Sequence, residues 1–495
     1  MEEDFVPLLE EDDYERNDDV DDEHSEDDDS VDIVDGVEAE AQQGNSDEFQ
    51  ERAETGVETS LEEPDAEANQ RMAAESLLDL GNNDDSSRNV AAEALLDLSK
   101  SEFGLHMSLK AGFKAHPDET QAGLLDECES LLLREKVFDP VRVSDLSYDQ
   151  RKGAVRVFSF AKKKPDKVRV RSVANEGWFE REKFNLEGVD VYAPTARVAS
   201  VFTVMGIAAS TGMSVCTGDV KTAFLKATLE TKKLVKFGPI ESEYYCKLDK
   251  RLKDFIDKDG CLYGWLNKAL YGLRESPKLW YELVFKRLTS LGFKRADADK
   301  CVFTRGKTII VIYVYDFLIA SPSIKERMLV MKELEKAFDK DITFKEGDEL
   351  LYIGMVFNFN RKLKAVEVSQ VEYFEALLKE YNVTGSATSP AANNLFEEPS
   401  DGVDVDQKAY LSLVQKLMYP AKRTRPDILL ATTYLATKSR EPKSHHMEKA
   451  MRVLKYLNAT KDLKLVIKPP SSLDFEVYVD ASHLVHADGK GILDV

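Results

Sequence analysis

Acidic residues are concentrated at the N-terminus of this 495-residue chain, and this limits where a folded core can lie. Residues 1–70 hold 30 acidic and 2 basic side chains, a balance of −28, so the other 425 residues carry +4 of the total of −24. Like charges at this density bury too little surface to offset chain entropy. We therefore expect residues 1–105 to be a disordered acidic linker, with the folded part starting near His106.

An imperfect repeat lies in this linker. AAESLLDL at 73–80 recurs as AAEALLDL at 91–98, and the leucines of each copy can form one apolar face of a short helix. Such short helices are marginal by themselves. Two interpretations stay open: a pair of docking motifs for a protein partner, or nascent helix in a linker, which we favour.

Composition restricts the setting of the protein. With 43% apolar and 32% charged residues, the chain is typical of a soluble globular protein. The five cysteines form no CxxC pair and have no histidines near them, which predicts neither a zinc site nor a disulfide framework. Without a signal-peptide pattern, we expect an intracellular protein of the cytoplasm or nucleus, not a secreted one.

The uncharged run 198–218 is rich in Ser and Thr, so a buried helix, a turn at 211–212 and a strand explain it better than a membrane span.

Helical and strand-like spacings are mixed without a βαβ rhythm, which predicts an α+β fold with an antiparallel sheet. In the first helix we expect Leu124, Leu125, Leu131 and Leu132 to face inward, and in the second Ser144 or Asp145 to be the N-cap. The predicted helices are 119–134, 144–156, 324–339, 370–381, 406–419 and 446–457. The predicted strands are 155–160, 168–173, 213–220, 234–237, 301–304, 308–314 and 317–320, with a hairpin turn at 305–307.

Two carboxylates stand at the ends of apolar strands. Asp219 ends the run 213–220, and Asp316 lies in the turn between 309–314 and 317–320. A carboxylate in such surroundings is costly unless it is paired or binds a cation. An ion pair with Lys221 or Lys307 explains either one singly, whereas the two together keep a shared metal site open.

Ordered blocks along the chain resemble the reverse transcriptase of copia-type long-terminal-repeat retrotransposons. The block at 219–225 is identical to the family's first catalytic motif, and the order of the blocks makes the resemblance specific. The blocks are KVRVRSVA at 167–174, APT at 193–195, DVKTAFL at 219–225, LNKALYGLRESP at 266–277, YIG at 352–354 and TRPDI at 424–428.

The resemblance implies a right-hand polymerase fold of the α+β class, with a palm built on an antiparallel sheet. It assigns 106–360 to fingers and palm, 361–400 to the thumb, 401–468 to the connection and 469–495 to an incomplete ribonuclease H-like segment. No membrane contact is implied.

The resemblance also implies a catalytic site for two Mg²⁺ ions. Asp219 and Asp316 map onto metal-binding carboxylates of the first motif and of the Y-x-D-D turn, and the Val220 carbonyl maps onto a further ligand. The chain reads YVYD at 313–316, so Tyr315 replaces the first Asp of the pair. A phenol has an ordinary pKa of about 10 and is neutral at pH 7, so it cannot replace a bridging carboxylate. We expect an RNA-directed DNA polymerase region that is catalytically impaired.

Five further residues map onto nucleotide-binding positions of the family. Lys167, Arg169 and Arg171 would contact the triphosphate. Phe224 would be the steric gate against ribonucleotides, and Gly272 would let a ligand approach the backbone. Their plain structural alternatives are an exposed basic strand face, core packing and a turn. The implied substrates and partners are an RNA template, a DNA primer, their RNA–DNA hybrid and deoxynucleoside triphosphates.

The C-terminal residues resemble the first strand of the family's ribonuclease H domain. Asp480 would be its first metal carboxylate, but one carboxylate cannot hold two metals, so we expect no nuclease activity. We interpret His445 and His446, at a helix start, as structural. The competing hypotheses are a non-catalytic nucleic-acid-binding or interaction protein derived from such an element, and a decaying copy without selected function.

Overall fold

The structure, a computed structural model, describes residues 106–164, 166–176, 191–468, 480–481 and 493–494. Among them no helix is both long and apolar enough to cross a membrane. The strands, in chain order, are β1 (His106–Ser108), β2 (Phe138–Val141), β3 (Val155–Lys163), β4 (Val168–Ala174), β5 (Ser214–Val220), β6 (Thr228–Phe237), β7 (Leu262–Lys268), β8 (Lys294–Arg295), β9 (Val302–Arg305), β10 (Thr308–Tyr313), β11 (Asp316–Ser321), β12 (Ile342–Glu346), β13 (Glu349–Tyr352), β14 (Met355–Asn360), β15 (Ala365–Ser369), β16 (Leu465–Ile467), β17 (Asp480–Ala481) and β18 (Leu493–Asp494). The α-helices are α1 (Leu109–Ala115), α2 (Pro117–Glu129), α3 (Tyr148–Gly153), α4 (Val198–Thr211), α5 (Pro239–Leu248), α6 (Ser276–Ser290), α7 (Ile324–Ala337), α8 (Val371–Glu380), α9 (Gln407–Ala421), α10 (Leu429–Ala436) and α11 (Ser444–Thr460).

An antiparallel central sheet has the strand order β12-β5-β11-β10-β9-β8. Successive side chains of a strand point to opposite faces, and here both faces are apolar. On one face Val215 and Leu318 belong to a core cluster with residues of α4. On the other, Cys216 and Phe317 belong to a cluster with residues of α6 and α7. The sheet is therefore buried on both sides, as its continuous apolar runs indicate.

The first sheet has the order β1-β3-β6-β7-β2, with β4 paired to β3. Its strands pair antiparallel except β3 and β6, which are parallel. Leu124 and Cys128 of α2 and Tyr245 of α5 are fully buried in its core cluster. This sheet carries the basic strand β4.

A third sheet, β13-β14-β15-β16, contributes Phe357 and Val366 to the same cluster as α4. Helices α8 to α11 share another apolar core that includes Phe374, Leu417 and Leu454. This core joins residues on both sides of position 400. The division of the chain into thumb and connection at that position stays a prediction.

Several predicted elements are confirmed with small shifts at their ends. Strands β4, β5, β10 and β11 and helices α7, α8 and α9 lie where apolar spacing predicted them. The uncharged run 198–218 is α4, a turn in which Gly212 has φ 70°, and most of β5. Asp316 begins β11 instead of lying in the preceding turn.

The segment 119–156 differs from the prediction. Leu125 is 37% exposed, because Leu124 and Cys128 at i and i+4 direct the inward face of α2, and a π-helical turn, Ser130–Arg134, ends this helix. The N-cap of α3 is Ser147, not Ser144 or Asp145. Ser147 and Gln150 exchange side-chain and backbone hydrogen bonds in a capping box, which outcompetes the earlier candidates.

The turn between β13 and β14 requires glycine at position 354. Gly354 has φ 72°, and a Cβ built there would lie 2.1 Å from the Tyr419 hydroxyl oxygen. We predict that Gly354→Ala lowers the free energy of unfolding by about 2–4 kcal/mol, from left-handed strain plus overpacking. Urea unfolding measures it. Gly385→Ala is the matched control, since Gly385 has φ 80° with open space around it and should cost only about 1–2 kcal/mol. Equal costs for the two variants would contradict the close approach to Tyr419.

Candidate active site

Asp219 and Asp316 are directly opposite residues of two paired strands. Asp219 lies near the end of β5, Asp316 begins β11, and the antiparallel register pairs them. Opposite residues project from the same face of a sheet with Cβ atoms about 4.5–5.5 Å apart. Both residues are partly exposed. Two carboxylates far apart in sequence therefore meet at one end of the central sheet.

A tight turn sets the position of Asp316. Tyr313 pairs with Asp316, which leaves only Val314 and Tyr315 between β10 and β11. Val314 has φ 54°, a costly conformation for a β-branched residue. The Trp280 indole N–H donates a hydrogen bond of 2.6 Å to the Val314 carbonyl, and the Val220 N–H donates one of 3.3 Å to the Tyr315 carbonyl. These bonds hold the turn against β5 and α6.

Tyr315 is buried in the apolar core beside this turn. It is 3% exposed and belongs to the cluster that contains Phe224 and Trp280, on the α6 side of the central sheet. By register, Asp219 and Asp316 face the α4 side, as Val215 and Leu318 do. The residue at the position where the resemblance implies a metal-binding carboxylate is therefore a core residue here.

Basic residues of β4 lie near the carboxylates. The Arg171 guanidinium, 8% exposed, stacks 4.8 Å from the centre of the Tyr271 ring, while Arg169 and Lys167 are exposed. Although the Arg169 side chain is exposed, protein atoms around its guanidinium partly desolvate it, and this desolvation together with the neighbouring Arg171 charge lowers the pKa of Arg169, which remains a cation at pH 7. The structure thus brings Arg169 and Arg171 near Asp219, whereas it shows no such proximity for Lys167.

Burial raises the pKa of the Asp219 carboxyl, although the charges of Arg169, Arg171, Lys221 and Lys345 oppose this rise. The Lys221 charge of the ion-pair alternative is one of these four, and together they do not offset the burial. A partly buried carboxylate whose pKa is raised is common at binding sites. Sequence analysis missed Lys345 because β12 has no marked apolar alternation.

Phe224 and Gly272 both adjoin Tyr271. The Phe224 ring packs against the Tyr271 ring, and Gly272 follows Tyr271 in the sequence. The Phe224 ring, 9% exposed, is 5.3 Å from the Tyr271 ring centre. Gly272 has φ 85°, and a Cβ there would lie 2.1 Å from the Ala174 carbonyl oxygen. The glycine is thus required by the packing of its loop on β4, and Phe224 packs in the core. Their nucleotide-binding roles stay predictions.

An ion network that sequence analysis missed fixes the segment after Asp219. Lys226 Nζ is 2.6 Å from Glu135 Oε1 and also pairs with Asp341, while Lys268 Nζ is 3.2 Å from Glu135 Oε2. The Thr222 hydroxyl donates to Glu135 at 3.0 Å. No local pattern signals this network, because its members come from distant parts of the sequence.

Asp480 is described only by its backbone. It pairs with Asp494 in the short ladder between β17 and β18. The LLDL repeats at 73–80 and 91–98 lie outside the described residues.

Residues 141–392, just over half of the chain, match the profile of the reverse transcriptase (RNA-dependent DNA polymerase) family. The match spans both carboxylates and the strands that carry them. The chain belongs to this family.

Curated relatives narrow the class to copia-type retrotransposons and confirm the resemblance. The chain is 32% identical over 275 residues to the transposon Ty5-1 protein of Saccharomyces cerevisiae, which covers 54% of this chain and 83% of that protein. It is 28% identical over 300 residues to the retrovirus-related Pol polyprotein from transposon TNT 1-94 of Nicotiana tabacum, covering 57% of this chain. It is also 28% identical over 326 residues to that from transposon RE2 of Arabidopsis thaliana, covering 64%. The chain spans about a fifth, 21%, of each plant polyprotein.

Reverse transcriptases generally use divalent metal ions. Asp219 and Asp316 bring two carboxylates, which are hard oxygen donors, to one face of the sheet. Tyr315 is buried and brings no carboxylate. Among the described residues, this pair of carboxylates fits one divalent cation.

We predict that Asp219→Asn stabilises the metal-free protein at pH 7, because it removes a partly buried charge opposite Asp316. The folded-state pKa of Asp219 is raised, so the folded state binds the extra proton as pH falls. As pH falls from neutral toward the pKa of Asp219 in the unfolded state, the free energy of unfolding of the parent should therefore rise relative to that of the variant. Urea unfolding in EDTA across this range measures the difference.

Asp139→Asn is the control, since Asp139 is 66% exposed and pairs with Lys232 at 3.4 Å. Its effect should stay within about 0.5 kcal/mol. A destabilised Asp219→Asn variant would contradict the assignment of a costly carboxylate.

Proposed function

We propose that this chain is the RNA-directed DNA polymerase region of a retrotransposon polyprotein and that Tyr315 impairs its nucleotidyl transfer. The observation that carries the proposal is the pairing of Asp219 with Asp316 beside a turn in which position 315 holds a buried phenol ring. The family resemblance implies a metal-binding carboxylate at that position. Template, primer and deoxynucleoside triphosphate are the substrates that this activity requires.

Asp219, Asp316 and the Val220 carbonyl are the groups that would hold a divalent cation, Mg²⁺ by family resemblance. When bound, such a cation lowers the negative charge on the reacting phosphate and primer oxygens. Arg169 and Arg171 would neutralise the triphosphate, because their positive charges already act on Asp219. Lys167 would extend this basic strand, Phe224 would exclude a 2′-hydroxyl and Gly272 would leave room for the ligand.

Electrostatics explains the expected impairment. Two divalent cations about 4 Å apart repel by about 17 kcal/mol at an effective dielectric constant of 20, so carboxylates must lie between them. Two carboxylates offset less of this repulsion than three. A deficit of about 4 kcal/mol in the transition state corresponds to a rate loss of about a thousandfold.

Primer extension tests the proposal. With an RNA template, a DNA primer, deoxynucleoside triphosphates and Mg²⁺, Tyr315→Asp should extend the primer at least about a thousandfold faster than the parent. Tyr315→Phe is the matched control, since it keeps the ring and adds no charge, and it should stay as slow as the parent. Asp219→Asn in the Tyr315→Asp background should abolish the gain.

Two outcomes would contradict the proposal. The first is a parent that extends as fast as Tyr315→Asp, and the second is extension unchanged by Asp219→Asn. Because Tyr315 is a core residue, circular dichroism must first show that the Tyr315→Asp variant is folded. Should it unfold, the effect of Asp219→Asn on extension by the parent decides.

A non-catalytic nucleic-acid-binding function is the second candidate. The observation that favours it is the combination of a carboxylate site without its third member and a basic strand that keeps Arg169 and Arg171 beside it. Binding to an RNA–DNA hybrid that weakens steeply with salt, without nucleotide incorporation by either parent or Tyr315→Asp, would support this function.

The remaining assignments are proposals of the same kind. Fingers and palm would span 106–360, the thumb 361–400 and the connection 401–468. Residues 469–495 would be a ribonuclease H-like remnant with Asp480 as its first carboxylate. The acidic residues 1–105 would be a linker, in which the LLDL repeats are the candidate contact for a protein partner.

A further inference from the structure

Glu398, His445 and His446 bring three metal-binding atoms together in the helical part of the described chain. Glu398 Oε2 lies 2.9 Å from His446 Nε2 and 3.2 Å from His445 Nε2, and the two ring nitrogens are 3.1 Å apart. These atoms lie within 4.8 Å of one another. We propose that Glu398, His445 and His446 form a zinc-binding site.

The three distances match the geometry of zinc coordination. Ligand atoms about 2.0–2.1 Å from a tetrahedral zinc ion lie about 3.3 Å from each other. The observed triangle is nearly equilateral and only slightly tighter. Two imidazoles and a carboxylate are common zinc ligands, and three protein ligands leave one position for water. The cysteine pattern predicted no zinc site, and this one contains no cysteine.

Neighbouring side chains orient the carboxylate. Glu398 Oε1 accepts a hydrogen bond from the Tyr434 hydroxyl and lies 3.1 Å from Lys438 Nζ, so Oε2 is the oxygen that faces the two rings. Such outer contacts orient metal ligands in known sites. The Glu398 side chain is 33% exposed and that of His446 only 4%, so an ion can enter from the Glu398 side.

The two histidines are held differently. His445 Nδ1 is buried without a hydrogen-bond partner among the described residues, so the ring is directed only through Nε2. His446 Nδ1 accepts the Lys443 N–H at 3.0 Å at the start of α11, which puts the ring proton on Nε2 when no metal is bound. Zinc at Nε2 would move this proton to Nδ1 and leave the Lys443 amide without its acceptor. The loss of one hydrogen bond is small beside three metal–ligand bonds.

A bound zinc ion would tie two parts of the helical core together. Glu398 lies in the segment between α8 and α9, whereas His445 and His446 are in the first turn of α11. The role proposed for the ion is therefore to hold the α8–α9 segment against α11, independently of polymerase activity.

Zinc titration of the EDTA-treated full chain tests the proposal. By calorimetry, the parent should bind one equivalent that His445→Ala binds about 100-fold more weakly or not at all. His116→Ala, which removes a histidine outside the triangle, should bind as the parent does. Cobalt should give the visible absorption of a four-coordinate ion in the parent and in His116→Ala but not in His445→Ala, and zinc should speed hydrogen exchange at the Lys443 amide.

Equal zinc affinity in the parent and His445→Ala would overturn the site. The three residues would then be only a hydrogen-bonded group. A loss of equal size in His116→Ala would also overturn it. Should His445→Ala fail to fold, the same titration of Glu398→Gln decides, because that variant keeps the shape of the side chain and removes the charge.

Discussion

The antiparallel pairing of β5 with β11 is the interaction on which the candidate site depends. Its register places Asp219 opposite Asp316, and a slip of one residue would send Asp316 to the other face of the sheet. Because both faces are apolar, burial by itself opposes such a slip only weakly. The two-residue turn at Val314 fixes the register of β10 with β11, and the hydrogen bond from the Val220 N–H to the Tyr315 carbonyl ties the end of β5 to this turn. A local turn and one hydrogen bond from β5 to it thus support a contact between distant parts of the sequence.

Tyr315 shows how packing and catalysis make different demands on one turn. As a buried ring among Phe224 and Trp280, it fills a core that a carboxylate would leave less well packed. Under the proposed function, its neutral ring beside Asp316 leaves the metal site one carboxylate short. Tyr315 is therefore compatible with a stable fold while, under the proposed function, opposing two-cation chemistry.

The sequence predicted β5, β9, β10 and β11 of the central sheet well, because their apolar runs are long, whereas the edge strands β8 and β12 were not predicted. The apolar pattern alone could not predict that Asp219 and Asp316 face each other, since register depends on tertiary pairing, but the family resemblance implied that the two carboxylates meet. Helix α6 was not predicted, although its buried residues Trp280, Val284 and Leu288 have helical spacing. The Glu135 network and the Glu398 triangle were also missed, since only folding brings their members together.

Manganese binding, measured by electron paramagnetic resonance on the full chain with and without each carboxylate, tests most directly whether Asp219 and Asp316 share a cation. The acidic N-terminal residues contribute the same background to every variant, so differences between variants report the paired site. We expect Asp219→Asn and Asp316→Asn each to remove the same single ion, and the double variant to remove nothing more. Unchanged binding in both single variants, or two separately lost ions, would contradict the shared site.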